Sequence, residues 1–177
     1  MSYYKFLTGD NKGEYSHFDY TPYLPDGEKP GAWLPEITEP LELCEVGYHA
    51  CEPKDLLSWI NMQLFEVEFA GATIDGDDKS VGCSMRLVRK IDTWNDRTAR
   101  LFAVWCARNA LKLIANPDPR SIAACDVAER YANGEATDDE RDAASDAARD
   151  AARAAAWDAA SAAQSKKLLE MLDIGGG

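Results

Sequence analysis

From residue 142 to residue 161 the chain is written in four-residue words: Asp142-Ala143-Ala144-Ser145, Asp146-Ala147-Ala148-Arg149, Asp150-Ala151-Ala152-Arg153, Ala154-Ala155-Ala156-Trp157 and Asp158-Ala159-Ala160-Ser161. Alanine has the highest helix propensity, so residues 137–174 are predicted to form one long helix. Each word advances about 400° at 3.6 residues per turn, so successive alanine pairs shift by about 40° and the small face winds around the helix. Such a face lets another helix approach closely, which makes homo-oligomerisation through it one expected role. Asp142, Asp146, Asp150 and Asp158 form a drifting acidic row, relieved in part by Arg149 and Arg153 at i, i+3.

Two more helices are expected upstream. After Trp94 the apolar spacing becomes helical, with Leu101, Val104, Trp105, Arg108 and Leu111 recurring between a cap at Asn95 and about residue 115. Asn116-Pro117-Asp118-Pro119 stops that helix and opens the next, with Asp118 as cap and Pro119 in the first turn; it ends at Asn133-Gly134. Thr137-Asp138-Asp139-Glu140 carries the reciprocal capping pattern for the third.

Residues 1–94 follow a different period. Tyr3–Leu7 is a strand candidate, followed by a turn at residues 9–13. Pro22, Pro25, Pro30, Pro35 and Pro40 forbid regular helix or central strand, leaving an extended wrap pinned to the core by Trp33 and the tyrosines. Pro53–Met62 has the spacing of a short amphipathic helix. Leu64–Phe69 alternates, with Phe65, Val67 and Phe69 on one face; residues 71–79 form a loop, and Val81–Ile91 alternates again as the antiparallel neighbour. The fold class is therefore α+β: a small antiparallel sheet, then a three-helix array with a long alanine-rich final helix. The domains are a β-rich region with its proline-rich wrap over 1–94, a helical region packed on it over 95–174, and a flexible tail over 175–177.

Composition narrows the function classes. In 177 residues, 46% hydrophobic content suffices to bury a core. No apolar run approaches the roughly 20 residues of a membrane helix, and the first residues lack the pattern of a secretory signal, so a soluble, cytoplasmic protein is expected. Five cysteines in irregular spacing favour reduced thiols over a disulfide framework. The net charge is −12, with 8 basic against 17 acidic residues over 1–94 and 11 against 14 over 95–177. Direct nucleic-acid binding is disfavoured, because neither half offers a basic surface for phosphates. A basic partner protein is the electrostatic complement.

The densest chemistry lies in residues 41–51. Leu43-Cys44-x-x-Gly47-x-His49-x-Cys51, with Pro30-Gly31-x-Trp33, Phe65-Glu66-Val67-Glu68, Lys79 and Arg86-Leu87-Val88-Arg89, resembles an uncharacterised domain family of bacteria and their phages, often followed by alanine-rich helical tails. The resemblance covers about the first 110 residues and implies a phage or mobile-element origin without implying a reaction. Cys44, His49 and Cys51 do not have zinc spacing and lack an evident fourth ligand, so no metal and no cofactor is assigned. A thiol nucleophile with His49 as base would need a directed pair, whereas an extended segment places His49 and Cys51 on one face with Cys44 distant in register. The order of a Tyr48-His49 strand, a short helix and Leu64-Phe65-Glu66-Val67-Glu68 also looks like the core order of small ADP-ribosyltransferases. That makes Tyr48, His49, Cys51 and Glu66 an alternative nucleotide pocket, although no arginine sits on Tyr3–Leu7. The first expectation is a non-enzymatic acidic module that occupies a basic surface of a host or defence protein in the manner of a nucleic-acid mimic. It would use Glu36, Glu39, Glu42 and Glu45 with Asp142, Asp146, Asp150 and Asp158.

Overall fold

A computed structural model describes residues 2–149; Asp150, Arg153, Asp158 and the expected 175–177 tail lie outside the described residues. The chain divides into two compact units, Met1–Asp96 and Arg97–Gly177. Its class is α+β, with four antiparallel strands in the N-terminal half and helices in the C-terminal half.

In the first unit, β1 (Tyr3–Leu7), β2 (Tyr48–Ala50), β3 (Gln63–Asp75) and β4 (Ser80–Lys90) lie in the order β1-β3-β4-β2. The alternation expected for β4 places Val81, Cys83, Met85 and Leu87 inside, all buried. Met85 and Leu87 meet Leu7, Tyr20, Leu34, Tyr48, Ala50, Phe65 and Val67 in one apolar core. Leu64 is buried as well, against expectation. It stands opposite Phe6 in the β1–β3 register, and the Phe6 ring meets Trp94 edge-on at 5.7 Å, so this end of the sheet is covered on both faces.

The loop expected at 71–79 is mostly strand. Gly71 takes a positive φ of 75° and bulges the ladder, after which pairing resumes from Thr73↔Gly82 to Asp75↔Ser80. Only residues 76–79 turn. A side chain at position 71 would meet the Cys83 sulfur, so the bulge requires glycine. The expected Pro53–Met62 α-helix is a 3-10 helix, Pro53–Trp59. Two residues before it, Cys51 is bonded to Tyr4, and Trp59 Nε1–H donates to the Asp78 carbonyl at 3.0 Å. The tighter winding rises more per residue and spans that fixed gap in seven residues.

The proline-rich wrap has an order of its own. Its N–H groups at Gly31, Leu34 and Ile37 donate to the carbonyls of Leu87, Met85 and Cys83 at 2.8–2.9 Å. Three-residue spacing is that of an extended polyproline-type helix, in which every third N–H points the same way. Pro30, Pro35 and Pro40 all miss these donor positions and forfeit none of the bonds. The wrap thus covers the β4 border beyond β2. Trp33 was expected to pin it to the core; instead it lies outside, 39% exposed, with the Arg86 guanidinium over its ring. Tyr20 and Leu34 provide the buried anchors.

The opposite border is closed differently. Tyr4 and Cys51 exchange both backbone bonds at 2.8 Å, so β1 meets the end of β2 and the sheet nearly closes on itself.

In the second unit, α1 (Asp96–Leu111) and α2 (Pro119–Ala132) are joined through Arg108, which pairs with Asp126 and Glu129. α1 stops about a turn earlier than expected, because Pro117 restricts the residue before it and the chain tightens into i+3 bonds at Leu113 and Ile114. Trp105 is 63% exposed and stacks on Phe102 rather than entering a core. Asp118 accepts from the Arg120 N–H as the cap of α2, and Gly134 takes the left-handed conformation after it. The third helix, α3, is described over 138–149. Its capping box forms in both directions: Thr137 N–H donates to Glu140 at 2.8 Å and Glu140 N–H to Thr137 Oγ1 at 3.2 Å.

Candidate functional site

Residues 42–47 form a tight loop in which Glu42 and Val46 exchange backbone bonds of 2.9 Å. Cys44 at its tip has φ 70° and Gly47 φ 127°. A left-handed non-glycine residue is strained by about 1 kcal/mol, and here it is held because the Cys44 N–H donates to His49 Nε2 at 2.9 Å. Cys44 is therefore not distant from His49, as the extended register implied; the loop folds it back over the ring. His49 Nε2 is occupied as an acceptor, which requires neutral imidazole at that nitrogen. Burial lowers the His49 pKa, helped by the nearby Lys5 and Lys79 ammoniums and opposed by a backbone bond at Gly47.

His49 faces a cavity of about 710 Å³. Its walls come from β1 (Tyr4, Lys5, Phe6), the loop at Glu14-Tyr15-Ser16, the tip at Cys44, Cys51 after β2, the 3-10 helix at Trp59 and the β3–β4 turn at Lys79. Lys5 reaches across the seam between β1 and β2 and donates to the His49 carbonyl at 2.7 Å, with its ammonium 5.3 Å from the Tyr20 ring centre. Burial lowers its pKa to about 8, with the Cys51 thiol opposing. The Cys51 thiol is raised to about 11, chiefly by burial and then by Asp55, so it is a poor nucleophile near neutrality. The Lys79 ammonium lies 4.8 Å from the Trp59 ring centre and 3.7 Å from Asp78; its pKa is raised, first by a bond to Cys44.

Of the four residues expected to form a nucleotide pocket, two share this cavity. His49 and Cys51 line it. Tyr48 points the other way, into the core, where its hydroxyl donates to the Pro35 carbonyl at 2.8 Å. Glu66 pairs with Arg89 on the sheet surface at 2.6 Å. Lys5, Lys79, Tyr15 and Trp59 were not anticipated. For Lys5 a signal existed: in Tyr3-Tyr4-Lys5-Phe6-Leu7 it shares the parity of Leu7, the inward side of the strand. Among the described residues no group of three or more His, Cys, Asp or Glu is placed to hold a metal ion.

The acidic residues separate into two kinds. Glu36, Glu39, Glu42 and Glu45 are all exposed on the wrap and its continuation, and none makes an ion pair among the described residues. Asp142 and Asp146 are exposed too, but Arg141 and Arg149 pair with them at 2.9 and 3.1 Å. The two sets belong to different units. Among the described residues no helix is long and apolar enough to cross a membrane. Comparison with protein-family models, curated proteins and solved structures finds no match to this chain.

Proposed function

We propose that this chain is a non-enzymatic binding protein, encoded by a phage or mobile element, that blocks a basic host or defence protein in the cytoplasm. The observation that carries this reading is the unpaired state of Glu36, Glu39, Glu42 and Glu45 on a segment fixed by backbone bonds. Glu66 and Glu68 on the sheet, by contrast, each have an arginine directly across the strand pair. Four like charges kept apart on a braced segment gain nothing for folding, and a basic surface gains from them on approach. The aspartates of α3 are secondary, since arginines already partner Asp142 and Asp146. Free thiols at all five cysteines suit a reducing compartment. The occupied Nε2 of His49 and the raised thiol pKa of Cys51 weigh against acid–base or thiol catalysis.

The test is recovery of partners on tagged protein under rising salt, beside a variant carrying glutamine at positions 36, 39, 42 and 45. A basic partner held by the wild type, released by salt and missed by the variant supports the reading. Equal recovery by both proteins would falsify it.

A further inference from the structure

The cavity at the β1–β2 seam shares only Glu45 with the glutamates of the acidic surface. We propose that it binds a small aromatic carboxylate, with the carboxylate on Lys5 and the ring against Tyr15 and Trp59.

The first argument is the state of Lys5. Lys5 is half-buried, its ammonium held between the His49 carbonyl and the Tyr20 ring, and it makes no ion pair among the described residues. The His49 carbonyl takes one of three N–H donors. A half-buried cation without a counter-charge is unfavourable, and an arriving carboxylate supplies both the charge and the acceptors. The second argument is size and lining. About 710 Å³ lies within the range of small-molecule sites. Tyr15 is 81% exposed and meets the Trp59 ring edge-on at 6.3 Å, an open aromatic wall on a surface otherwise dense in carboxylates. The third argument is the charge count. Two ammoniums, Lys5 and Lys79, line the cavity with two carboxylates, Glu14 and Glu45. Lys79 already faces Asp78 and Cys44, and Glu14 accepts from Asn61 at 2.6 Å. Lys5 is thus the lining ammonium without a carboxylate partner, and a lining with no net positive charge favours a monoanion over a polyphosphate. The other titratable neighbours of Lys5 are Cys51, Tyr20 and His49; the first two are held protonated by burial and the third neutral.

Phenylacetate is the probe, phenylacetamide its neutral counterpart and inorganic phosphate the bare anion, each titrated calorimetrically into the full chain. Phenylacetate is expected to bind about tenfold or more tightly than either, the ratio of one charge-assisted hydrogen bond. Lys5→Met, with its fold checked by circular dichroism, is expected to abolish that preference, and Lys79→Met to change it by less than about threefold, because Lys79 has other partners. If Lys5→Met does not fold, the wild type decides alone. Lysine Cε resonances should show the Lys5 titration moving upward when phenylacetate is present, because an adjacent anion favours the charged form. Absence of phenylacetate binding at about 10 mM, equal binding of the amide or of phosphate, or an unmoved Lys5 titration would overturn the proposal. None of these outcomes bears on partner binding by the wrap.

Discussion

The two borders of the sheet solve the same problem with different materials. An open strand edge presents unpaired backbone groups and invites wrong pairing. At β4 the border is covered by backbone alone: three N–H donors at three-residue spacing from the proline-rich wrap. At the β1–β2 seam one bridge at Tyr4 and Cys51 is supplemented by a side chain, the Lys5 ammonium on the His49 carbonyl. The backbone closure leaves its side chains free, and four of the nearby ones are unpaired glutamates. The side-chain closure places a cation in a gap and leaves a cavity beside it. Each candidate surface is thus a by-product of how its border was closed.

The largest effect should come from breaking the wrap. A side chain at Gly31 would collide with the Tyr23 carbonyl, and that backbone cannot yield without losing the Gly31–Leu87 bond. Gly31→Val is expected to lower unfolding free energy by about 3 kcal/mol, measured in urea.

The seam is sharpened by pH. The folded chain releases the Lys5 proton near pH 8, whereas the unfolded chain keeps it to about 10.5. Between those values the unfolded state binds more protons, so stability attributable to Lys5 rises with pH, and the full penalty applies below about pH 8. Cys51 acts in the opposite direction, its folded pKa being raised from 9.0 to about 11. The comparison with Lys5→Met removes that contribution. Relative to the variant, the wild type should gain on the order of 2 kcal/mol from about pH 7.5 to pH 10.5. A flat difference across that window would mean that Lys5 is solvated.

His49 gives a smaller effect of the same linkage. Its folded pKa is depressed, so its contribution is present above the unfolded value and lost as pH falls through the range below it. His49→Gln keeps an acceptor for the Cys44 N–H and should flatten the loss seen in urea unfolding as pH falls below the unfolded value. The smallest effect belongs to the wrap's carboxylates. Glutamine at positions 36, 39, 42 and 45 should leave the thermal midpoint almost unchanged, within about 0.5 kcal/mol. A large stabilisation would show that their mutual repulsion strains the fold.

What could be seen beforehand follows from the range of the interaction. The capping box at Thr137, the Asp118 cap and the β3–β4 alternation depend on neighbours a few residues away, and all are present. The Gly71 bulge was missed because a glycine between two alanines signals a turn as readily as a kink in a strand. Pro53–Trp59 is 3-10 because of ties at both its ends, which no helical periodicity encodes. The same limit applied at the site. Prolines argued against regular helix or central strand over 22–40, where the structure has a short 3-10 helix at Thr21–Tyr23, but only β4 reveals that 31, 34 and 37 are the donors. Tyr48 and His49 were grouped as strand neighbours, although adjacent strand residues point to opposite faces. Lys5 was passed over because its partner carbonyl lies 44 residues away.

The wrap also bears on the order of assembly. The β3–β4 hairpin turns through residues 76–79, whereas the wrap's three bonds join residues 46 to 56 positions apart. Closing long loops is slow compared with local pairing, and β4 must be in place before its outer border exists. The glutamate-bearing segment is therefore expected to dock late in folding and to release early under stress. A nascent chain would display its acidic stretch in fixed geometry only after the sheet behind it is complete, which couples recognition to the integrity of the fold.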